Sequence, residues 1–184
     1  MKNIFSKKTK TNINDELISK QEMLNIFRVC IHDSDFFFII YTMYTLGLNF
    51  DELIQLDFRE VPTSNDVIFI INSNRFAPLS PYTYYCLSSL IIYRNYPCTL
   101  FHIWNDYEML NKKFMMYAKE VNITNKININ SLQKNYENHL FQDGVTKNQI
   151  ACIFNRDNPD NLRVICSKTL QKVNELVDYY KFFR

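Results

Sequence analysis

The sequence predicts a mainly α-helical domain with one small antiparallel β-sheet, an α+β fold dominated by its helices. Three observations point there. Apolar residues recur at helical spacing in most segments, helix-capping residues stand ahead of them, and only one stretch pairs apolar runs around a turn as a hairpin does. At 184 residues, 47% hydrophobic and 22% charged, the chain suits one ordinary domain and is short for two. The expected organisation is a flexible basic N-terminal tail over residues 1–18, followed by a single domain over residues 19–184.

Ser19 and Glu22, ahead of Met23, Ile26, Phe27 and Cys30, have the form of a capping box opening a first helix. Ser34 to Leu46 is apolar nearly all round and stops at Gly47, the pattern of a buried helix with a glycine stop. Asn49 or Asp51 caps a short third helix through Leu53 and Leu56. Val67 to Ile71, the Asn72-Ser73-Asn74 turn and Phe76 to Leu79 read as the hairpin. Ser80-Pro81 supplies the cap and first-turn proline of a helix reaching Tyr93, and Pro97 then breaks the pattern. Asn105 with Glu108 opens an amphipathic helix through Leu110, Phe114, Tyr117 and Val121. Ser131 opens another that stops near Gly144, and a shorter helix covers Lys147 to Phe154. Leu170, Val173, Val177 and Tyr180 form an apolar stripe on a terminal helix over residues 168–183.

Composition excludes several function classes. With two glycines, Gly47 and Gly144, the chain has no Gly-rich loop to cradle a nucleotide phosphate. The longest apolar run, Phe36 to Ile40, falls far short of the roughly 20 residues that span a bilayer. No membrane association and no signal peptide are expected. Five cysteines (Cys30, Cys86, Cys98, Cys152, Cys166) include no C-x-x-C pair, which suits reduced thiols in the cytoplasm and disfavours a zinc site. His32 and His102 have no partner arrangement for catalysis or metal binding, and His139, on an amphipathic helix, reads as a core or hydrogen-bonded histidine. No cofactor or metal is expected.

Charge is informative through its position. The net charge of +2 hides a tail with Lys2, Lys7, Lys8 and Lys10 and no acid, which leaves the other 174 residues with 17 bases against 19 acids. Residues 31–66 hold seven acids against Arg59, whereas residues 111–172 hold ten bases against five acids. If the second half folds onto one face it can contact phosphate; solvated helix faces are the alternative use of the same residues.

Four strings then occur in a telling order. Thr45-Leu-Gly-Leu-Asn-Phe-Asp-Glu-Leu-Ile-Gln-Leu-Asp57 comes first and Arg75-Phe-Ala-Pro-Leu-Ser80 second. Asn130-Ser-Leu-Gln-Lys-Asn-Tyr-Glu-Asn-His-Leu140 follows, and Gly144-Val145 with Ile150-Ala-Cys-Ile-Phe-Asn-Arg156 closes the series. Together they resemble the catalytic domain of the tyrosine recombinases, the phage integrase family. The family's patterns at these places are T-G-L-R-x-x-E-L-x-x-L, R-x-x-P-L before a helix, H-x-L-R-H-x-x-A-x-x-L, and the run into an L-G-H turn. The resemblance covers residues 19–166 and implies a fold that embraces double-stranded DNA.

In that family a tyrosine attacks a DNA phosphodiester while arginines, a lysine and histidine-type residues stabilise the transition state. Matched position by position, the first arginine falls on Asn49, the histidine and arginine of the second box on Asn130 and Gln133, and the L-G-H histidine on Arg156. The nucleophile position falls on Ile165, and no tyrosine lies between Tyr136 and Tyr179. A neutral amide cannot reproduce a bidentate guanidinium on phosphate, and losing one preorganised oxyanion donor typically costs about 100- to 1000-fold. Cys166 and Ser167 adjoin the empty nucleophile position, and Cys166 reads more naturally as a small buried thiol.

The expectation is therefore a catalytically inactive, recombinase-like accessory or regulatory factor of a mobile element that binds double-stranded DNA. Its DNA-contacting candidates are Arg75, Lys134 and Arg156, each with solvated surface as the alternative, and Asn49 has helix capping as its simpler role. A protein-interaction module that no longer touches DNA is the rival reading, favoured by the near-neutral body. The stripe on residues 168–183 serves either self-association or docking to a recombinase partner, or it returns onto its own domain.

Overall fold

The computed structural model describes residues 17–56, 67–70, 73–94, 106–124 and 126–154, together with Lys172 and Glu175. The expected tail below Leu17, Asn105, His102, Arg156, Ile165, Cys166 and most of the expected terminal helix lie outside the described residues. Within them the protein is mainly helical, with seven helices and one two-stranded antiparallel sheet.

Local chemistry accounts for the helix ends. Helix α1 (Lys20–Cys30) opens with the expected capping box, in which Ser19 and Glu22 each bond the other's backbone N–H. Helix α2 (Ser34–Thr45) is capped by Asp33, whose side chain accepts from Phe36 N. Helix α3 (Phe50–Ile54) is short and opens at Asn49, which forms a second reciprocal box with Glu52. The hairpin pairs β1 (Val67–Ile70) with β2 (Arg75–Pro78). Arg75 therefore belongs to the strand, opposite Ile70, one residue before the expected start, and Asn74 supplies a turn residue with φ +48°. Helix α4 (Pro81–Arg94) opens as expected, with Ser80 Oγ accepting from Thr83 N and Pro81 in the first turn.

One helix start differs from the sequence expectation, and a second begins at the expected residue without a side-chain cap from the residue before it. Helix α5 (Tyr107–Glu120) is capped by Asp106, whose carboxylate accepts from Met109 N, and not by Asn105. Helix α6 (Ser131–Gln142) follows Asn130, whose side chain makes no capping bond. Instead Asn128 Oδ1 accepts from Ser131 N while Ser131 Oγ donates to Asn128 O, which closes the turn that feeds the helix. Helix α7 (Lys147–Phe154) matches its expected bounds and opens on a Thr146–Gln149 box.

Three helices stop by one mechanism. After α2, α5 and α6 the residue in left-handed conformation is Gly47, Asn122 or Gly144. The next residue's N–H returns to the carbonyl five positions back: Leu48 to Met43, Ile123 to Ala118 and Val145 to Leu140. Both glycines of the chain are thus helix stops, and asparagine takes the third because its short polar side chain tolerates that conformation.

Helix α2 is the centre. It is buried from Phe36 to Thr45 apart from Phe38, and packs against α1, α4 and α6. Aromatic pairs cross these contacts edge-on, Phe27 with Tyr44 at 5.8 Å and Tyr44 with Tyr136 at 5.9 Å between ring centroids. Buried hydroxyls of Ser80, Thr83 and Thr45 form a chain that ends on Tyr41 O, which satisfies these three groups at the α2–α4 contact. Helix α7 packs on β2 and α6, which brings Phe154 beside the α2–α3 turn. Among the described residues no helix is long and apolar enough to cross a membrane.

Candidate functional site

The turn Gly47–Phe50, between α2 and α3, gathers residues from four of the sequence's distinctive strings. Its backbone requires glycine at position 47. The φ there is +59°, and a Cβ would lie 2.8 Å from Tyr136 Cδ1 and 2.8 Å from Phe154 Cζ. The rings of α6 and α7 therefore close directly over the turn.

Position by position, the degenerate set converges here. Asn49 Oδ1 accepts from Glu52 N at 2.9 Å, the α3 cap. Asn130 Oδ1 accepts from Phe50 N at 3.3 Å, so this residue bridges the start of α6 to the start of α3. Gln133 Nε2 donates to Gly47 O at 2.8 Å. All three are neutral amides bonded to backbone groups of this turn or of the α3 turn that follows it, although Asn130 and Gln133 stand some 80 residues away in sequence. Arg156 and Ile165 lie outside the described residues, beyond Phe154 at the end of α7.

Arg75 corrects an expectation. Neither a DNA contact nor solvated surface describes it, because it is only 2% exposed. Its Nε and Nη2 each bond a Glu52 carboxylate oxygen at 2.8 Å, and Nη2 also donates to Gly47 O at 2.8 Å. Its guanidinium carbon sits 5.1 Å from the centre of the Phe154 ring. The reason is electrostatic: the carboxyl end of α2 presents the carbonyls of Leu46 and Gly47, and a cation with five donors satisfies them while pairing with Glu52. Burial works against the charged form of Glu52, but the Arg75 hydrogen bonds and charge outweigh it and hold the carboxyl below its ordinary range.

Nothing in this turn is poised as a nucleophile or base. Among the described residues the buried cation, Arg75, is matched by the buried carboxylate of Glu52, and the amides are occupied by backbone groups. The thiols of Cys30 and Cys86 are pushed up to about 12 by burial, which keeps them protonated at neutral pH.

His139, expected as a structural histidine, is fully buried on α6 and bonded at both ring nitrogens, to Tyr44 Oη at 2.6 Å and to Ile18 O at 2.9 Å. His32 is exposed. Lys134 projects from α6 into a second feature, a groove of about 560 Å³ between α6 and α7. Leu17, Phe141 and Ile150 supply its apolar lining, and Lys134, Glu137 and Lys147 its charge. Phe141 is 50% exposed and Lys147 Nζ lies 5.7 Å from its ring centre. Burial raises the pKa of Glu137, against the pull of Arg75 and Lys134.

Sequence reasoning missed Glu52, Phe154, Tyr44 and the groove. Only Glu52 carried a signal, the Asn49-x-x-Glu52 spacing of a capping box; the others depend on contacts across the fold. No protein-family model matches the chain, and no curated protein sequence matches it.

Proposed function

We propose that this protein is a catalytically inactive, tyrosine recombinase-like factor that associates with double-stranded DNA in the cytoplasm and serves a mobile element as an accessory or regulator. The observation that carries the reading is the convergence of Asn49, Asn130 and Gln133 on one turn. Positions matched to catalytic residues in separate strings meet in space, as residues of a shared site must, yet each side chain now bonds backbone. Arg75, the one described cation beside them, is neutralised by Glu52.

DNA affinity on this reading comes from the exposed lysines of the basic half, Lys112, Lys119, Lys126, Lys134 and Lys147, with Arg156 and the Lys-rich start of the chain. Arg75 is not among them. A gel-shift titration at several salt concentrations tests this. Duplex binding that weakens steeply with salt is expected, and Lys134→Gln with Lys147→Gln should lower the salt slope by about 2, roughly one per phosphate contact. A suicide DNA substrate should leave no covalent adduct; recovery of a phosphotyrosyl, phosphocysteinyl or phosphoseryl linkage by mass spectrometry would overturn the inactive assignment.

A second reading, a protein-interaction module on the same fold, is favoured by the α6–α7 groove with its half-exposed Phe141. Absence of any duplex binding at low salt by the full chain would decide for it.

A further inference from the structure

We propose that the groove between α6 and α7 is a docking site for an acidic amphipathic peptide segment of another protein, which seats its apolar side chains on Phe141 and Ile150 and its carboxylates against Lys147 and Lys134. The inference rests on the second reading above, the interaction module, and gives the partner of that module its chemistry.

Each helix presents one stripe to the groove. From α6 come Lys134, Glu137, Asn138 and Phe141, at the i, i+3, i+4, i+7 spacing that keeps residues on one face. From α7 come Lys147, Ile150 and Ala151, at i, i+3, i+4. The α6 stripe is distinct from the inner one through Leu132, Tyr136 and His139, which is buried in the core. Phe141 is half exposed, Ala151 is exposed and Ile150 is partly buried, so the apolar floor is open from outside. A volume of about 560 Å³ falls inside the roughly 300–1,000 Å³ of ligand clefts. Apolar side chains gathered in a cleft with a charged rim mark an interaction site.

Charge selects the occupant. The lining carries two lysines against one glutamate, and that glutamate, Glu137, is half-buried and faces Lys134 and Arg75. Lys147 Nζ stands 5.7 Å from the centre of the Phe141 ring and, among the described residues, contacts no carboxylate. An ammonium and an aromatic ring side by side receive an acidic and an apolar residue one turn apart on a peptide helix, the arrangement of an amphipathic helix in a groove. A basic segment would meet Lys134 and Lys147 and be rejected by like charge. Duplex DNA would use the lysines and leave Phe141 and Ile150 idle, because phosphate contacts bury no apolar floor. The floor therefore favours a peptide, and a peptide and a duplex would compete for the same two lysines.

The test is a titration of the full chain, followed by two-dimensional NMR, with a synthetic helical peptide that carries leucine and tryptophan on one face and glutamate on the other. Saturable binding with a Kd on the order of 1–100 μM is expected, with shifts gathered at Asn138, Phe141, Ile150 and Ala151 while amides of α2 and α4 hold their positions. A peptide with lysine in place of glutamate should not bind. Phe141→Ala should weaken binding about tenfold or more, and Lys147→Glu about threefold; both side chains are exposed, and unchanged α2 signals confirm that the variants fold. The proposal is overturned if binding does not saturate by about 1 mM, if the shifts fall outside the groove, if the lysine peptide binds equally well, or if Phe141→Ala has no effect. It is also overturned if the four groove residues shift with protein concentration alone, the mark of a second copy seated there. Peptide shifts outside the groove leave the interaction-module reading standing. Groove binding by a chain that also binds duplex DNA overturns that reading and keeps this site.

Discussion

The turn at Gly47 and the outer groove of α6 and α7 are built from similar residues and use them in opposite ways. At the turn an arginine, a glutamate, an asparagine and a glutamine are bonded into the protein, with Arg75 and Glu52 almost wholly buried. Along the groove Lys134, Lys147 and Phe141 reach solvent. A buried charge is tolerated only with a partner and hydrogen bonds, so the polar residues of the turn work for the fold. Of the charges compared here, those that stay exposed, Lys134 and Lys147, line the groove.

The comparison predicts effects of very different size. Arg75→Ala leaves the Glu52 carboxylate buried without its cation and should destabilise the protein by about 3–5 kcal/mol in urea unfolding. Combining it with Glu52→Gln should recover part of that loss, whereas an Arg75→Ala variant as stable as the parent would break the contrast. Gly47→Ala follows at about 2 kcal/mol, since it combines a left-handed backbone with two ring contacts. Gly144→Ala is the control: its φ is +86° but nothing lies within 4 Å, so strain alone remains and the loss should be about 1 kcal/mol.

A graded loss should accompany acid, in two windows. His139 is depressed in the folded protein, so its contribution is complete above its ordinary 6.5 and is lost as pH falls below that value, because the unfolded chain takes up the proton first. Glu52 and Asp33 are also depressed. Burial opposes the charged form of each, and Arg75 and Lys113 outweigh it respectively. Their contribution is complete above their ordinary 4.5 and 3.8 and is lost as pH falls further through the folded values. Thermal melting against pH should show the first slope disappear in His139→Gln while the second remains. Asn49→Ala should cost about 1 kcal/mol through the lost cap. Smallest of all, Lys134→Gln with Lys147→Gln should change stability by no more than about 0.5 kcal/mol at each site, so their effect on binding sharpens the distinction between the two regions.

The helices were legible because their signals are local. Ser19 with Glu22, Gly47 after an apolar run, Ser80-Pro81 and the Lys147–Phe154 segment each act within a few residues, where capping and left-handed geometry are decided. Adjacent candidates for one role were harder to separate: Asp106 caps α5 although Asn105 stands beside it. Of the site, the inventory of neutral residues at Asn49, Asn130 and Gln133 was readable, and their meeting at one turn was not.

By itself, the sequence determined a mainly helical chain with one hairpin, where most helices begin and stop, and which side chains at the matched positions carry no charge. Those properties follow from residue type and from neighbours within one turn of helix. Only the tertiary structure decided that Arg75 is an interior ion-pair partner of Glu52, that Phe154 closes over Gly47, and that His139 grips Ile18. Each of these depends on burial and on partners 23 to 121 residues away in sequence. The same guanidinium binds phosphate in water-accessible surroundings and a carboxylate inside, and its surroundings exist only once α2, β2 and α7 have packed.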